Sequence, residues 1–355
     1  MIPMRLLQQK VEQAWYRPLG WNKCLLPLSW AFERLAARRR AQFASGQRAV
    51  KRVSVPVIVV GNISVGGTGK SPLVIFLIEA LRQQGWTPGV ISRGYGASVK
   101  DFPCEVSGQD APDVMGDEPV MIARRTGVPL VIDPNRSHAA DYLLSKTSCD
   151  VIISDDGLQH YALARDIEIA VVDGLKGLGN GCCLPVGPLR EPPNRLNEVD
   201  LVVLNQAGDS SPLDGYSVNS DYLYKMDIAP EGLYSVASLV SSSSTAMDVN
   251  NLGPKVHGVA GIGNPDRFFA SLRKQGFDVV EHRFPDHYQY QSGDLQFGDS
   301  LAVVMTEKDA IKCTHFCLDS HYYLKVSSHV DDSMMSRLMP LLAQAKLDLK
   351  QRQSA

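Results

Sequence analysis

The stretch that decides the fold is GNISVGGTGKSP, residues 61–72. The phosphate-binding loop pattern G-x-x-x-x-G-K-[ST] has a glycine-rich turn whose backbone N–H groups bind phosphate oxygens. Gly69, Lys70 and Ser71 match the end of this pattern, but Ser64 stands where its first glycine is expected. The match is good but incomplete, so the flanking sequence decides what the loop does.

The flanking sequence has the strand–loop–helix order that a phosphate loop needs. VSVPVIVVGN, ahead of the loop, predicts a buried strand, and SPLVIFLIEALRQQG predicts a helix that ends at Gly85. The helix N-terminus attracts phosphate, the Lys70 ammonium reaches its outer oxygens, and the Ser71 hydroxyl suits Mg²⁺. A glycine turn with another purpose is the alternative. We predict a nucleotide site formed by Ser64, Val65, Gly66, Gly67, Thr68, Gly69, Lys70 and Ser71.

Strand and helix patterns alternate from residue 53 onward, which predicts a mainly parallel sheet covered by helices on both faces. The predicted fold class is α/β, a P-loop NTPase-type sheet with a smaller C-terminal α/β unit and an N-terminal amphipathic helical arm. Residues 206–255 lose the alternation and contain SSSST at 241–245; we expect a loosely structured connector with one or two strands, around 226–230 and 233–240. The predicted segments are an arm (1–52), a P-loop core (53–205), the connector (206–255) and a smaller C-terminal domain (256–355).

The charge of the chain is unevenly distributed. Residues 1–52 carry eleven Lys or Arg against Glu12 and Glu33, a balance of +9, so the net charge of −2 leaves −11 for the rest. Three of the four tryptophans lie in the same segment, at positions 15, 21 and 30. Aromatic side chains next to basic ones are typical of a helix that lies in a membrane interface. A helical arm packed on the body is the alternative, and the two are compatible.

The sequence also indicates where the protein works. The apolar run at the N-terminus is interrupted too early for a signal peptide, and no run reaches 18 apolar residues. Seven cysteines without zinc-ligand spacing favour reduced, structural thiols. We therefore expect a protein on the cytoplasmic side.

Acidic side chains follow a second buried strand. VII, residues 151–153, leads into Ser154, Asp155 and Asp156. The carboxyl ends of strands in open α/β sheets are where ligands bind, so we predict that Asp155 and Asp156 serve Mg²⁺. A solvated Asp-Asp-Gly turn is the alternative.

Other candidate residues are weak signals when taken singly. Asp117 and Glu118 begin a predicted helix, where carboxylates are often only caps. Arg93 follows a strand and Arg190 lies in a Pro/Gly loop, so both are candidates for gripping phosphate. His287 closes a strand in FPDHY, and a lone histidine there is more often structural.

Taken together and in this order, the motifs GGTGKSP, ISRGYG, GDEP, SDDGLQH, GPLREP, FPDH and MTEKDAIK resemble the tetraacyldisaccharide 4′-kinase family, the lipid A 4′-kinases of Gram-negative bacteria. The resemblance covers residues from about 53 to 326, and the basic aromatic N-terminus resembles the family's membrane-associating segment. Two departures are Tyr288, where some members carry a second histidine, and Ser71 in place of the commoner threonine.

The resemblance implies transfer of the ATP γ-phosphoryl group to the 4′-hydroxyl of a tetraacylated glucosamine disaccharide 1-phosphate. It implies Asp117 and His287 as a catalytic dyad. Asp117 is the expected proton acceptor, His287 is expected to orient or share that proton, and Lys70 is expected on the phosphates. Arg93 and Arg190 are then expected to bind substrate phosphate or transition-state charge. Ser71, Glu118, Asp155 and Asp156 are the expected Mg²⁺ residues.

The expected partners are a glycolipid and a membrane surface, with no nucleic acid, on the cytoplasmic face of the bacterial inner membrane as a peripheral protein. One alternative is a membrane-surface P-loop switch ATPase that hydrolyses ATP without a lipid acceptor. Another is a nucleic-acid-binding ATPase, which the acidic body disfavours.

Overall fold

The computed structural model describes residues 4–206, 211–240, 246–247 and 252–354. Its helices are α1 (Met4–Trp15), α2 (Leu26–Ala44), α3 (Lys70–Gln83), α4 (Pro112–Met115), α5 (Asp117–Thr126), α6 (Arg136–Lys146), α7 (Pro265–Lys274), α8 (Glu307–Ala310) and α9 (Asp332–Ser354). Its strands are β1 (Val57–Gly61), β2 (Pro88–Ser92), β3 (Cys104–Val106), β4 (Leu130–Ile132), β5 (Val151–Asp155), β6 (Ile167–Asp173), β7 (Leu201–Asn205), β8 (Leu223–Ser235), β9 (Lys255–Ala260), β10 (Asp278–Arg283), β11 (Ala302–Thr306) and β12 (His321–Val330).

All twelve strands of the described residues form one sheet, in the order β10-β9-β11-β12-β8-β7-β6-β1-β5-β2-β4-β3. Neighbouring strands are parallel except for β3 with β4 and β8 with β12. The predicted α/β class with a mainly parallel sheet is therefore confirmed. The division of the chain into four segments stays a prediction, and the sheet runs through the last three of them.

The buried strands explain why helices cover both faces. Along β1, Ile58 and Val60 belong to a hydrophobic cluster with α3, α5 and α9, whereas Val57 and Val59 belong to a cluster with α6. Successive side chains of a strand point to opposite faces, so a continuous apolar run needs cover on each side. Phe268 and Phe269 of α7 bury the C-terminal strands in the same way.

The connector contains one strand where the sequence predicts one or two, around 226–230 and 233–240. This strand, β8, covers the first range and the start of the second, and residues 236–239 form a short 3-10 helix. Ser235 is the last residue of β8 to pair with β12, and its hydroxyl accepts a hydrogen bond from the Ala237 backbone, which turns the chain. Residues 241–245, the SSSST stretch, lie outside the described residues, as do 207–210 and 248–251.

The arm packs on the body through the end of α1, the segment after it and the start of α2. The Trp15 indole donates to the carbonyl of Pro185 at 3.0 Å, and the Ser29 hydroxyl donates to that of Cys183 at 2.7 Å. Asn22, which is buried, donates to Val186 at 3.0 Å. The arm is therefore held against the loop that follows β6, whereas Trp30 and Leu35 of α2 are exposed.

Candidate active site

The glycine loop connects β1 to α3, as the sequence predicts, and its entry explains the missing glycine. Ser64 forms an antiparallel bridge with Leu189, and the Val65 N–H donates to the carbonyl of Pro188 at 2.8 Å. The φ of Ser64 is not positive, unlike those of Gly66 (+102°) and Gly69 (+90°). Because the entry is extended and braced by a second loop, a side chain fits at position 64.

A side chain from β7 supports the other end of the loop. The Asn205 amide donates to the Thr68 carbonyl at 2.9 Å and is completely buried. A Cβ added to Gly69 would collide with this amide, and φ at Gly69 already disfavours any other residue. Asn205 therefore holds the turn at Thr68 and Gly69, directly before α3 begins.

The two carboxylates at the end of β5 have different surroundings. Asp156 lies 3.3 Å from the Lys70 ammonium and 3.6 Å from the Arg190 guanidinium. Burial alone would raise the pKa of Asp156, but these two cations outweigh it and lower the pKa. Asp155 is buried, its Oδ2 accepts from the Ser92 hydroxyl at 3.3 Å, and its Oδ1 has no hydrogen-bond partner. Burial, with the charges of Glu118 and Asp156, raises the pKa of Asp155 to about 7.

Asp117 and His287 meet directly. The two Asp117 oxygens lie 2.9 and 3.0 Å from His287 Nδ1. Asp117 begins α5 and is 5% exposed, whereas His287 lines the cavity described below. Burial alone would raise the pKa of Asp117, but the hydrogen bond from His287 and the charges of Lys308 and Lys312 lower it. The hydrogen bond to Asp117 raises the pKa of His287, against burial and Lys308.

Lys308, at the start of α8, joins the acidic groups around this pair. Its ammonium lies 3.0 Å from Glu118 Oε1, 3.4 Å from Asp286 Oδ1, 3.6 Å from Asp117 Oδ2 and 3.5 Å from His287 Nε2. Burial opposes its charge, but the carboxylates outweigh burial and raise the pKa of Lys308. The residue therefore stays cationic and ties the start of α5 to the C-terminal part of the sheet.

A cavity of about 650 Å³ unites these groups. It lies at the carboxyl ends of the central strands, where open α/β sheets bind ligands. Ser64 and Asp117 are buried and do not line the cavity. The residues on its surface that the sequence predicted are Val65, Gly66, Gly67, Thr68, Gly69, Lys70, Ser71, Arg93, Glu118, Asp155, Asp156, Arg190 and His287.

Backbone strain is concentrated at the same cavity. Within the described part of the chain, the non-glycine residues with positive φ are Asp156 (+48°), Gln206 (+55°) and His287 (+59°), and all three line the cavity. Such conformations cost free energy and cluster at functional sites, where the surrounding structure enforces them. The strain therefore supports this cavity as the functional site without reference to any motif.

Sequence reasoning passed over several cavity residues. Lys308 stands in the quoted motif MTEKDAIK without a predicted role, and Asn205 is the last residue of β7, at the same sheet edge as Asp155. The position of Asn205 after an apolar run was a usable signal. Arg125, Arg267 and Gln206 also line the cavity, but none of the quoted motifs includes them.

The comparisons with known proteins agree with this geometry. The family described as Tetraacyldisaccharide-1-P 4'-kinase matches residues 21–343. The chain belongs to this family. It is 44% identical to the tetraacyldisaccharide 4'-kinase of Pseudomonas putida (strain W619) over 341 residues, which cover 94% of this chain and 98% of that one. Identity to the Alcanivorax borkumensis enzyme is 46% over 336 residues, 95% of this chain and 98% of the relative.

A solved structure of the family has the same fold. The crystal structure of LpxK from Aquifex aeolicus in complex with ATP superposes with a TM-score of 0.75 at 26% identity, covering 92% of this chain and 99% of that one. The predicted family and the predicted kinase activity are thus confirmed for this member of the 4'-kinase family.

Proposed function

We propose that this kinase transfers the γ-phosphoryl group of ATP to the 4′-hydroxyl of a tetraacylated glucosamine disaccharide 1-phosphate. The observation that carries the proposal is the Asp117–His287 contact at 2.9 Å, on a cavity that also contains the glycine loop. A hydrolase or switch would need only the loop and a water molecule. A proton-accepting pair in the same cavity is what an alcohol acceptor requires.

The glycine loop and Lys70 are proposed to hold the ATP phosphates. The loop backbone offers N–H groups at the N-terminus of the fourteen-residue helix α3, and the Lys70 side chain lines the same cavity. Positioning and charge neutralisation account for most of the rate enhancement in phosphoryl transfer. Lys70→Ala is therefore expected to be severely impaired.

The acidic residues fit a bound Mg²⁺. Asp155 has a buried oxygen without a hydrogen-bond partner, and burial together with the neighbouring carboxylates raises its pKa, so a bound cation would stabilise its ionised form. We propose that Mg²⁺ is held by Ser71, Glu118, Asp155 and Asp156. When bound, the ion would neutralise charge on the phosphates.

The dyad is proposed to act as one proton acceptor in the state in which His287 is neutral, because a protonated His287 has no free basic nitrogen. The 4′-hydroxyl gives its proton to the pair while its oxygen forms a bond to the γ-phosphorus, and the bond from that phosphorus to the bridging oxygen breaks to release ADP. The motifs lead us to expect that Asp117 accepts the proton and that His287 orients or shares it. Asp117 is buried and contacts His287, which lines the cavity, so the pair is proposed to share the proton while Asp117 carries the charge.

Arg93 and Arg190 are proposed to bind phosphate at the rim of the cavity. Arg93 is exposed there, and Arg190 is half-buried and paired with Asp156 at 3.6 Å. A guanidinium binds a phosphate with two parallel hydrogen bonds. The 1-phosphate of the acceptor is the group we assign to Arg93, because Arg190 is already engaged near the nucleotide.

The arm is proposed to place the enzyme on the cytoplasmic face of the bacterial inner membrane, as a peripheral protein. Among the described helices, none is both long and apolar enough to cross a bilayer. Large apolar side chains are nevertheless exposed on and before α2, and Trp30 is 61% exposed. These side chains are Trp21, Leu28, Trp30 and Leu35. With the basic residues of the arm, they suit an anionic lipid surface.

The test is transfer of ³²P from γ-labelled ATP to the disaccharide 1-phosphate lipid in detergent micelles with Mg²⁺. Wild type is compared with Lys70→Ala, Asp117→Asn and the exposed control Asp113→Asn. We expect labelled lipid from wild type and the control, and little from the other two. Labelled free phosphate without labelled lipid would refute the proposal and support the switch ATPase.

A further inference from the structure

Arg267 reaches the nucleotide cavity from the opposite side of the glycine loop. It lies in the first turn of α7, in the C-terminal part of the sheet, and its side chain lines the cavity. Just ahead of α7, Gly263 is so close to the loop that an added Cβ would lie 3.3 Å from the Gly67 nitrogen. The start of α7 is therefore packed against the middle of the loop.

Within the described residues, the guanidinium of Arg267 has hydrogen-bond donors without a protein acceptor. Its Nη2 lies 3.4 and 3.5 Å from the two oxygens of Asp173, and its Nε has no hydrogen-bond partner. Asp173 Oδ1 already accepts from the backbone N–H groups of Leu175 and Lys176 at 2.9 Å each. The Arg267 side chain is only 18% exposed. A guanidinium has five N–H donors, so this buried one has donors left for a ligand.

The sheet register gives the location of the pair. Ala170 of β6 lies opposite Gly61 at the end of β1, and Asp173 lies three residues further along β6. Asp173 and Arg267 are thus beside the first half of the glycine loop. Lys70 lies at the other end of the loop, where α3 begins.

We infer that Arg267 binds an oxygen of the terminal phosphoryl group of ATP. With Lys70 it holds this group from two sides, one cation from each part of the sheet. Phosphoryl transfer depends on such neutralisation of the transferred group. The inferred contact is to the nucleotide; its consequence for lipid phosphorylation rests on the proposed function.

The first measurement is binding of ATP and of ADP by calorimetry, without lipid, to wild type and Arg267→Ala. Losing a hydrogen bond to a charged group is expected to weaken ATP binding about tenfold to a hundredfold. ADP lacks the terminal phosphoryl group and should lose much less. Arg273→Ala, an exposed arginine on the same helix, is the matched control and should bind both as wild type does. Equal losses for ATP and ADP would overturn the inference.

A purely structural role is tested by the double variant Arg267→Ala/Asp173→Asn. Arg267→Ala alone leaves Asp173 buried without a cation, which destabilises the fold. The second change removes that charge, so the Tm should recover while ATP binding stays weak. Recovery of ATP binding together with the Tm would show that Arg267 serves only Asp173, and would overturn the inference. Failure of wild type to phosphorylate the lipid would instead refute the proposed function and leave these binding results intact.

Discussion

His287 Nδ1 lies 2.9 Å from Asp117 Oδ2, although 170 residues separate them in the chain. Asp117 opens α5, and His287 follows β10 in the C-terminal part of the sheet. Each residue shifts the pKa of the other toward the charged form. The pair is therefore a joint property of two distant parts of the sequence.

Loss of the dyad should slow chemistry and spare ATP binding. We expect His287→Ala to lower kcat by about 10²–10⁴-fold, the usual contribution of acid–base help, with ATP affinity little changed. Rapid-quench measurement of lipid phosphorylation at saturating ATP checks this. Asp117→Asn/His287→Ala should be hardly slower than Asp117→Asn alone, because the two residues act as a unit. Multiplied losses in the double variant would mean that they act separately.

The dyad should also stabilise the fold in a limited pH range. Its aspartate has a lowered pKa, so its contribution is present above the unfolded value and is lost as pH falls through the folded value. Its histidine has a raised pKa, so its contribution is present below the unfolded value and is lost as pH rises through the folded value. The difference in Tm between wild type and His287→Ala should therefore be largest between about pH 4 and 6.5, and smaller at pH 9. A difference that is constant across pH would argue against an ion pair.

Asp155 should behave in the opposite sense. Its pKa is raised to about 7, so its ionisation destabilises the fold as pH rises from its unfolded value toward 7. In EDTA, Asp155→Asn should raise the Tm at pH 8 and change it little at pH 5, while lipid phosphorylation is lost. Asp156→Asn is the matched control, because Lys70 and Arg190 stabilise that carboxylate and its loss should not raise the Tm. Equal behaviour of the two variants at pH 8 would contradict this account.

Two glycines of the loop should respond differently to alanine. Gly69 has φ of +90° and no room for a Cβ beside Asn205, so Gly69→Ala should cost about 1–3 kcal/mol of unfolding free energy. Gly67 has no atom within 4 Å of an added Cβ, and Gly67→Ala should change stability by less than about 0.5 kcal/mol. Urea unfolding of the two variants makes the comparison. A similar loss in both would show that the Asn205 contact does not set the turn.

The exposed apolar side chains of α2 should determine membrane binding. Trp30→Glu/Leu35→Glu is expected to reduce binding to vesicles that contain anionic lipid by at least about tenfold, because two exposed apolar groups are replaced by charges of the wrong sign. Activity on micellar lipid should fall much less. Leu347→Glu, an exposed leucine on α9, is the control for a surface charge elsewhere. Unchanged sedimentation of the arm variant with vesicles would exclude this face.

The sequence predicted those features that depend on short, contiguous stretches of residues. The parallel strands appear as apolar runs, and the loop from residue 64 to 71 appears as a motif, so both were found. The strand β3 was missed, because three residues at an antiparallel edge carry too little pattern. The sequence left one or two strands open in the region of β8, because the end of this strand is fixed by pairing with β12, where Ser235 lies opposite Tyr322.

Tertiary packing decided the rest of the site. Motif resemblance suggested that Asp117 and His287 act together, but only the structure shows which of them faces the cavity. Lys308 and Arg267 were not predicted as site residues, because lysine and arginine are ordinary surface residues in most sequences. Only the structure shows that these two side chains are largely buried. Their significance depends on neighbours that are distant in sequence.

The position of β12 has a consequence for synthesis of the protein. This strand, the last of the sheet in chain order, lies between β8 and β11. While the ribosome is still making residues 321–330, a nascent chain already contains every residue of the dyad and the glycine loop, yet β8 and β11 each have an unpaired edge open to other chains. A premature stop codon shortly after residue 310 would thus yield a product that contains every residue of the dyad and the glycine loop but lacks the strand that joins β8 to β11. Its two unpaired strand edges would make it prone to aggregate.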